Sequence, residues 1–240
     1  MDDRERLQYL QAMGIDVWVP RDAVAEQPAA AEQGAEDGPG ATRVDRPPAD
    51  DGDTVMQAWR QLEQEVAGCR LCPLAETRTQ TVFGTGNRNA DWMLIGEAPG
   101  QNEDQKGKPF VGKAGLLLTE MLRSLNLGRE EVFIANILKC RPPDNRDPRA
   151  DEVAACQPYL QRQIALIRPK IILAVGRVAA QQLLKTDAPL AKLRGKVHYL
   201  EEIPVVVVYH PAYLLRSPLE KRKAWSDLQM AERIYRDLQD

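Results

Sequence analysis

The chain has 240 residues, of which 43% are hydrophobic and 28% charged, enough for a buried core in one large domain or two small ones. No apolar run approaches the ~20 residues that a membrane helix needs. The charged N-terminus MDDRERLQYL lacks the apolar centre of a secretory leader, so a cytoplasmic location without membrane contact is expected.

The first stretch, RERLQYLQAMG (4–14), reads as a short amphipathic helix with Leu7, Leu10 and Met13 on one side. Residues 1–22 form a peptide unit, and residues 23–53, dominated by Ala, Glu, Gly, Pro and Asp, read as a disordered linker. The folded body is expected at 54–240. Charge divides along the same line: residues 1–52 carry 12 acidic and 5 basic side chains, a net of −7, and the rest carry 23 and 27, a net of +4. A mildly basic body is compatible with nucleic acid but does not demand it.

Within the body, the apolar runs DWMLIG (91–96), VFIANIL (132–138), KIILAVG (170–176) and IPVVVVYH (203–210) suit parallel strands buried on both faces. Helical patterns at 113–126, 151–167, 177–185 and 219–238 alternate with them, Pro158 implying a kink or a later start for the second. The alternation predicts a three-layer α/β/α sandwich on a four-stranded parallel sheet. Ligands bind such sheets beyond the carboxyl ends of the strands. Those ends bring Gly96-Glu97, Asn136, Gly176-Arg177 and His210 to one edge. Nothing in the pattern requires an oligomer, and a monomer is expected.

Four cysteines are too few for a secreted disulfide scaffold and point to metal or catalysis in a reducing compartment. Cys69 and Cys72 form a C-x₂-C pair, and Cys140 and Cys156 follow with fifteen residues between them. Four thiolates can close a zinc site or hold an iron–sulfur cluster, and spacing alone does not choose between these and plain buried thiols.

The remaining candidates sit at the strand mouths. GEAPG, after the first strand, matches neither GxGxxG nor the Walker pattern, which leaves Glu97 and Glu103 as solvated acids of a turn or as functional groups. Phe110 stands before a helix start, as core or as a ligand face. Asn136 interrupts an apolar strand, where a buried amide needs partners. After His210, the residues Tyr213, Leu214 and Leu215 lie beside Arg216, Lys221, Arg222 and Lys223; apolar wedges next to cations suit a loop that opens DNA.

GEAPGQNEDQKGKPFVGKAG, NILKCRPPDNRDP and HPAYLLR, with the cysteine arrangement, resemble the motifs of the family 4 uracil-DNA glycosylases, over roughly residues 55–238. The resemblance implies excision of uracil from DNA in base excision repair, on the sandwich of that superfamily. It implies a [4Fe-4S] cluster held by Cys69, Cys72, Cys140 and Cys156. Phe110 matches the residue that stacks on uracil, Asn136 the amide that reads it, and His210 the catalytic histidine, with Leu214 in the loop that enters the duplex and Arg216 beside it. Better-known uracil glycosylases place an aspartate where this chain has Ala98, which leaves Glu97 and Glu103 for the sugar and water, or Glu103 instead to crowd the C5 edge of the base and exclude thymine, and Gly96 and Gly100 to admit the nucleotide. A related branch that bonds covalently to DNA through an inserted histidine is not matched, because residues 136–156 hold no histidine.

Other readings are a non-enzymatic nucleic-acid-binding module with a structural metal centre, and a nucleotide-binding domain without the usual phosphate fingerprint. RLQYLQAMGIDVWVPR also resembles the N-terminal peptide of the psi subunit of the bacterial clamp loader, which implies that residues 4–21 dock on a replication protein.

Overall fold

The computed structural model of the chain describes residues 52–239. The N-terminal peptide and all but the end of the expected linker lie outside the described residues. The first described element, α1 (Gly52–Ala67), begins two residues inside the segment read as linker. Its Trp59, Leu62 and Val66 recur at helical spacing and are buried, so this helix belongs to the body.

After a short helix α2 (Leu74–Thr77) come β1 (Thr85–Gly86), β2 (Trp92–Gly96), α3 (Gln101–Lys106), α4 (Lys113–Arg123) and β3 (Phe133–Asn136). The second half holds α5 (Ala150–Ile167), β4 (Ile171–Val175), α6 (Arg177–Leu184), α7 (Leu190–Leu193), β5 (Val197–Leu200), β6 (Ile203–Val208), α8 (Pro211–Arg216) and α9 (Lys221–Asp237). The sheet has six strands in the order β1-β3-β2-β4-β6-β5. Its four central strands are the expected parallel ones. The correction lies at the edges, where β1 and β5 add antiparallel partners to β3 and β6. β1 is too short to show a period, and β5 alternates between exposed and half-buried residues without an apolar run.

Alternation along each central strand supplies two cores. Met93 and Ile95 face the layer of α1, α5 and α6, whereas Trp92 and Leu94 face the layer of α4, α8 and α9. Burial on both faces is why those strands read as unbroken apolar runs. Helix α5 neither starts later nor stops at Pro158. Pro158 and Ala154, whose carbonyl loses its helical donor, both lie on the exposed face, where water can replace the missing bond. Among the described residues no helix is long and apolar enough to cross a membrane.

One buried ion pair ties the second core to the loop before β5. Arg194 Nε donates to Asp227 Oδ2 at 2.6 Å, and both side chains are almost wholly enclosed. Burial pushes the Asp227 carboxyl up to about 6 even beside the guanidinium. Removing one partner leaves an uncompensated charge. Arg194→Met is expected to lower the unfolding free energy in urea by about 3–5 kcal/mol, and the double change Arg194→Met, Asp227→Leu to recover most of it.

Candidate active site

A cavity of about 840 Å³ opens beyond the carboxyl ends of the central strands. Of the residues singled out in the sequence, Glu97, Ala98, Gly100, Glu103, Phe110, Asn136, Gly176, Arg177, His210, Tyr213 and Arg216 line it. Gly96 lies directly beneath it, and Leu214 is not part of it.

The floor is built by three residues that depend on one another. Gly96 and Asn136 end neighbouring parallel strands in register. A Cβ on Gly96 would overlap Asn136 Oδ1 and stand 2.7 Å from Phe110 Cζ, so only glycine lets the amide and the ring approach this close. Asn136 is 2% exposed, and its Oδ1 is buried without a hydrogen-bond partner. A buried acceptor left open at the bottom of a cavity is a costly feature unless a ligand fills it. Phe110 is held at φ 53°, in the left-handed region that a bulky residue avoids.

The two acids differ. Glu103 accepts hydrogen bonds from the backbone N–H groups of Gly100 (3.1 Å), Val111 (2.9 Å) and Gly112 (3.1 Å). Through both oxygens the carboxylate joins the Phe110 turn to the loop after β2, while the side chain also lines the cavity. Glu97 has its carboxyl raised to about 7 by burial first and by the charge of Asp147 second, against the opposing pull of Arg177. Asp147 and Arg177 pair at 2.5 Å across the cavity lining.

His210 caps α8, its Nδ1 accepting from the Ala212 N–H at 3.1 Å. That bond places the single proton of a neutral ring on Nε2. Burial, aided by the charge of Arg216, holds the ring down to about 4, so it is neutral at pH 7. Its ring lies 5.6 Å from that of Phe110. Gly176, at φ 94°, caps α6 beneath it, where a Cβ would meet the His210 Cβ at 3.0 Å.

Leu214 is corrected by its burial. It is 1% exposed and packs into the core with α4 and α9, whereas Leu215 is 45% exposed. A side chain that enters a duplex must be free to leave the protein surface, a condition that Leu215 meets and the buried Leu214 does not.

The four cysteines share one region, Cys69 and Cys72 between α1 and α2, Cys140 after the carboxyl end of β3 and Cys156 in the first half of α5. None is disulfide-bonded. Burial pushes the Cys72, Cys140 and Cys156 thiols up, and the neighbouring sulfurs push them further. Cys140 Sγ accepts from Arg78 Nη1 at 3.0 Å and Cys156 Sγ from the Lys139 N–H at 3.4 Å, while the Leu74 N–H bonds Cys72 and the Tyr159 hydroxyl bonds Cys69. Among the described residues no three His, Cys, Asp or Glu side chains converge on a single-ion site.

Sequence reasoning missed Arg146, Asp147 and Tyr209, all on the cavity wall. Arg146 is pinned by the buried Glu152 through two hydrogen bonds, which fastens the loop after Cys140 to the start of α5. The spacing from Asp147 to Glu152 was visible, but no local pattern reports that this loop faces Arg177 across the sheet edge. Lys139, three residues beyond Asn136, is fully enclosed and donates to the Asn136 carbonyl (2.9 Å) and Gln163 Oε1 (2.6 Å).

Residues 83–229 match the family described as the uracil DNA glycosylase superfamily. The chain is 44% identical over 182 residues to the type-4 uracil-DNA glycosylase of Archaeoglobus fulgidus, covering 72% of this chain and 92% of that protein. It is 49% identical over 166 residues to the type-4 uracil-DNA glycosylase of Saccharolobus solfataricus, covering 65% and 77%. A type-5 uracil-DNA glycosylase of Pyrobaculum aerophilum is 31% identical over 146 residues, covering 54% and 64%.

The electrostatics of Glu97 can be read without any substrate. Carbon-13 NMR of its carboxyl is expected to show a midpoint at about 7, against an ordinary 4.5. Arg177→Met should move that midpoint further up and Asp147→Asn should move it down; an unperturbed titration in all three proteins would refute the assignment.

Proposed function

The chain belongs to the uracil DNA glycosylase superfamily, among its type-4 enzymes, and from that membership we propose how its own residues hydrolyse the N-glycosidic bond of deoxyuridine in DNA and leave an abasic site. The observation that carries the reading is the open, buried Oδ1 of Asn136 beside the Phe110 ring. A base inside a duplex is unreachable, so the nucleotide must turn out, at a cost of roughly a few kcal/mol. Phe110 supplies a flat apolar face for the extruded ring. The Asn136 amide offers an acceptor to an imide N–H and a donor to the neighbouring carbonyl, and cytosine presents the reverse pattern.

Bond cleavage makes a cationic sugar and a uracil anion, and the site addresses both. His210, neutral and protonated on Nε2, donates to the developing anion without adding a full charge. Glu97, as its carboxylate, orients water and offsets the sugar charge in the position where Ala98 supplies no acid. Leu215 serves as the wedge, with Arg216 and the cations that follow on the phosphates.

Cys69, Cys72, Cys140 and Cys156 are the residues that would hold an iron–sulfur cluster. Four unbridged thiols within electrostatic reach of one another, three of them receiving N–H donors, form a soft donor set that fits such a group. When bound, the cluster cross-links segments far apart in sequence and supplies stability rather than bond-breaking chemistry. Residues 4–21 are proposed to dock on a replication protein.

A uracil-containing oligonucleotide, treated with the protein and then alkali, should be cut at the uracil; an intact strand would overturn the enzymatic reading. Under single turnover, His210→Ala and Glu97→Gln are each expected to slow excision about 10²–10³-fold, and Asn136→Asp about 10²-fold. Because Glu97 acts deprotonated, the wild-type rate should climb about tenfold per pH unit and level off above about 7, and Glu97→Gln should abolish that slope. Anaerobically purified protein should be brown and carry about four irons per chain; a colourless, active protein with one zinc would refute the cluster.

A further inference from the structure

At the rim of the cavity, three planar groups lie in series. The Arg194 guanidinium sits 4.0 Å from the centroid of the Tyr209 ring. Tyr209 in turn lies 5.0 Å from Tyr213, with an interplanar angle of 33°. The inner end cannot shift, because Arg194 is locked by the buried Asp227. The outer end is different. Tyr213 is 37% exposed, lies on the first turn of α8, and lines the cavity with Arg216 and His210.

Packing alone explains Tyr209, which is half-buried between a cation and a ring. It does not explain why the residue above it is also aromatic and left open to solvent. A ring backed by a second ring, itself backed by a fixed cation, is a stiff surface with one face ready for another π-system. Such a step is sequence-tolerant, since every base has a π-face.

We propose that Tyr213 is the outer step of a stacking platform that receives the nucleobase next to the flipped deoxyuridine on the same strand. The proposal rests on reading the adjoining cavity as the uracil pocket. Tyr213 and His210 share that cavity, so a base stacked on Tyr213 lies one phosphate away from the base held beside His210. Arg216, at the end of the same helix turn, supplies a cation for the intervening phosphate. The platform would hold the opened strand while Leu215 fills the space the uracil leaves, which divides two tasks between adjacent exposed side chains.

The test is a binding cycle with full-length protein and a duplex carrying 2′-fluoro-2′-deoxyuridine, which resists excision. Affinities are measured by fluorescence anisotropy for wild type, Tyr213→Ala and Tyr213→Phe. Each is measured on the intact strand and on strands with an abasic spacer 5′ to the analogue, 3′ to it, or opposite it. Tyr213→Ala should weaken binding to the intact strand about tenfold, and Tyr213→Phe less than about twofold. The alanine penalty should vanish on one of the two same-strand spacers, because the base that stacks is then missing. An equal penalty on every strand, no penalty on any, or a penalty lost only with the opposite-strand spacer overturns the proposal. Excision of ordinary uracil by the wild-type protein is scored in parallel. If that fails, the pocket reading fails; if it succeeds and the cycle shows no coupling, the platform alone is wrong.

Discussion

The site depends on one carboxylate. Glu103 gathers three backbone N–H groups from two loops, the one leaving β2 and the one entering α4. Together with Arg129, which donates to the Pro109 carbonyl, it holds the Phe110 turn in a left-handed conformation that an aromatic residue normally avoids. With it, the ring lies against Gly96 and the Asn136 amide, and the floor of the pocket is set before any ligand arrives. Preorganisation of this kind is what makes a weak polar contact discriminating, since nothing must be ordered at the moment of binding.

Two acids six residues apart thus sit in different surroundings for a physical reason. Glu103 is held by fixed N–H donors. Glu97 is enclosed beside Asp147, which raises its carboxyl, and is only partly relieved by Arg177. A group that titrates near neutrality while facing a cavity is suited to chemistry rather than scaffolding. His210 completes the set by moving the other way. Burial and Arg216 strip it of charge, and the Ala212 N–H selects its tautomer. The environment, more than the residue type, assigns each role.

Behind the pocket, one buried lysine links the floor to the cysteine region. Lys139 holds the carbonyl of Asn136 with its ammonium, while its own N–H reaches Cys156. Burial lowers its ammonium to about 7, the cost of placing it there, and Gln163 shares the load. Arg78 does the equivalent from the other side, joining Cys140 to the carbonyls that follow α1. The strand that ends in Asn136 and the cysteine region are therefore one mechanical unit.

Much of this was legible from residue order. The four parallel strands show as unbroken apolar runs because both faces are buried, and the convergence of Gly96, Asn136, Gly176 and His210 follows from where those runs stop. Family resemblance then attached chemistry to the positions. What residue order could not decide is anything set by contacts across the fold. β1 and β5 exist because edge positions were available, not because their residues announce strands. Leu214 and Leu215 are the same residue type side by side, and only the packing of α8 against α4 and α9 buries one and exposes the other. Glu97 and Glu103 are likewise indistinguishable as letters; the difference arises from which backbone N–H groups and charges the tertiary structure brings within a few ångströms of each. Local pattern determines the framework because periodicity is a local property. Electrostatic role and side-chain exposure depend on neighbours distant in sequence, and only the assembled fold supplies those.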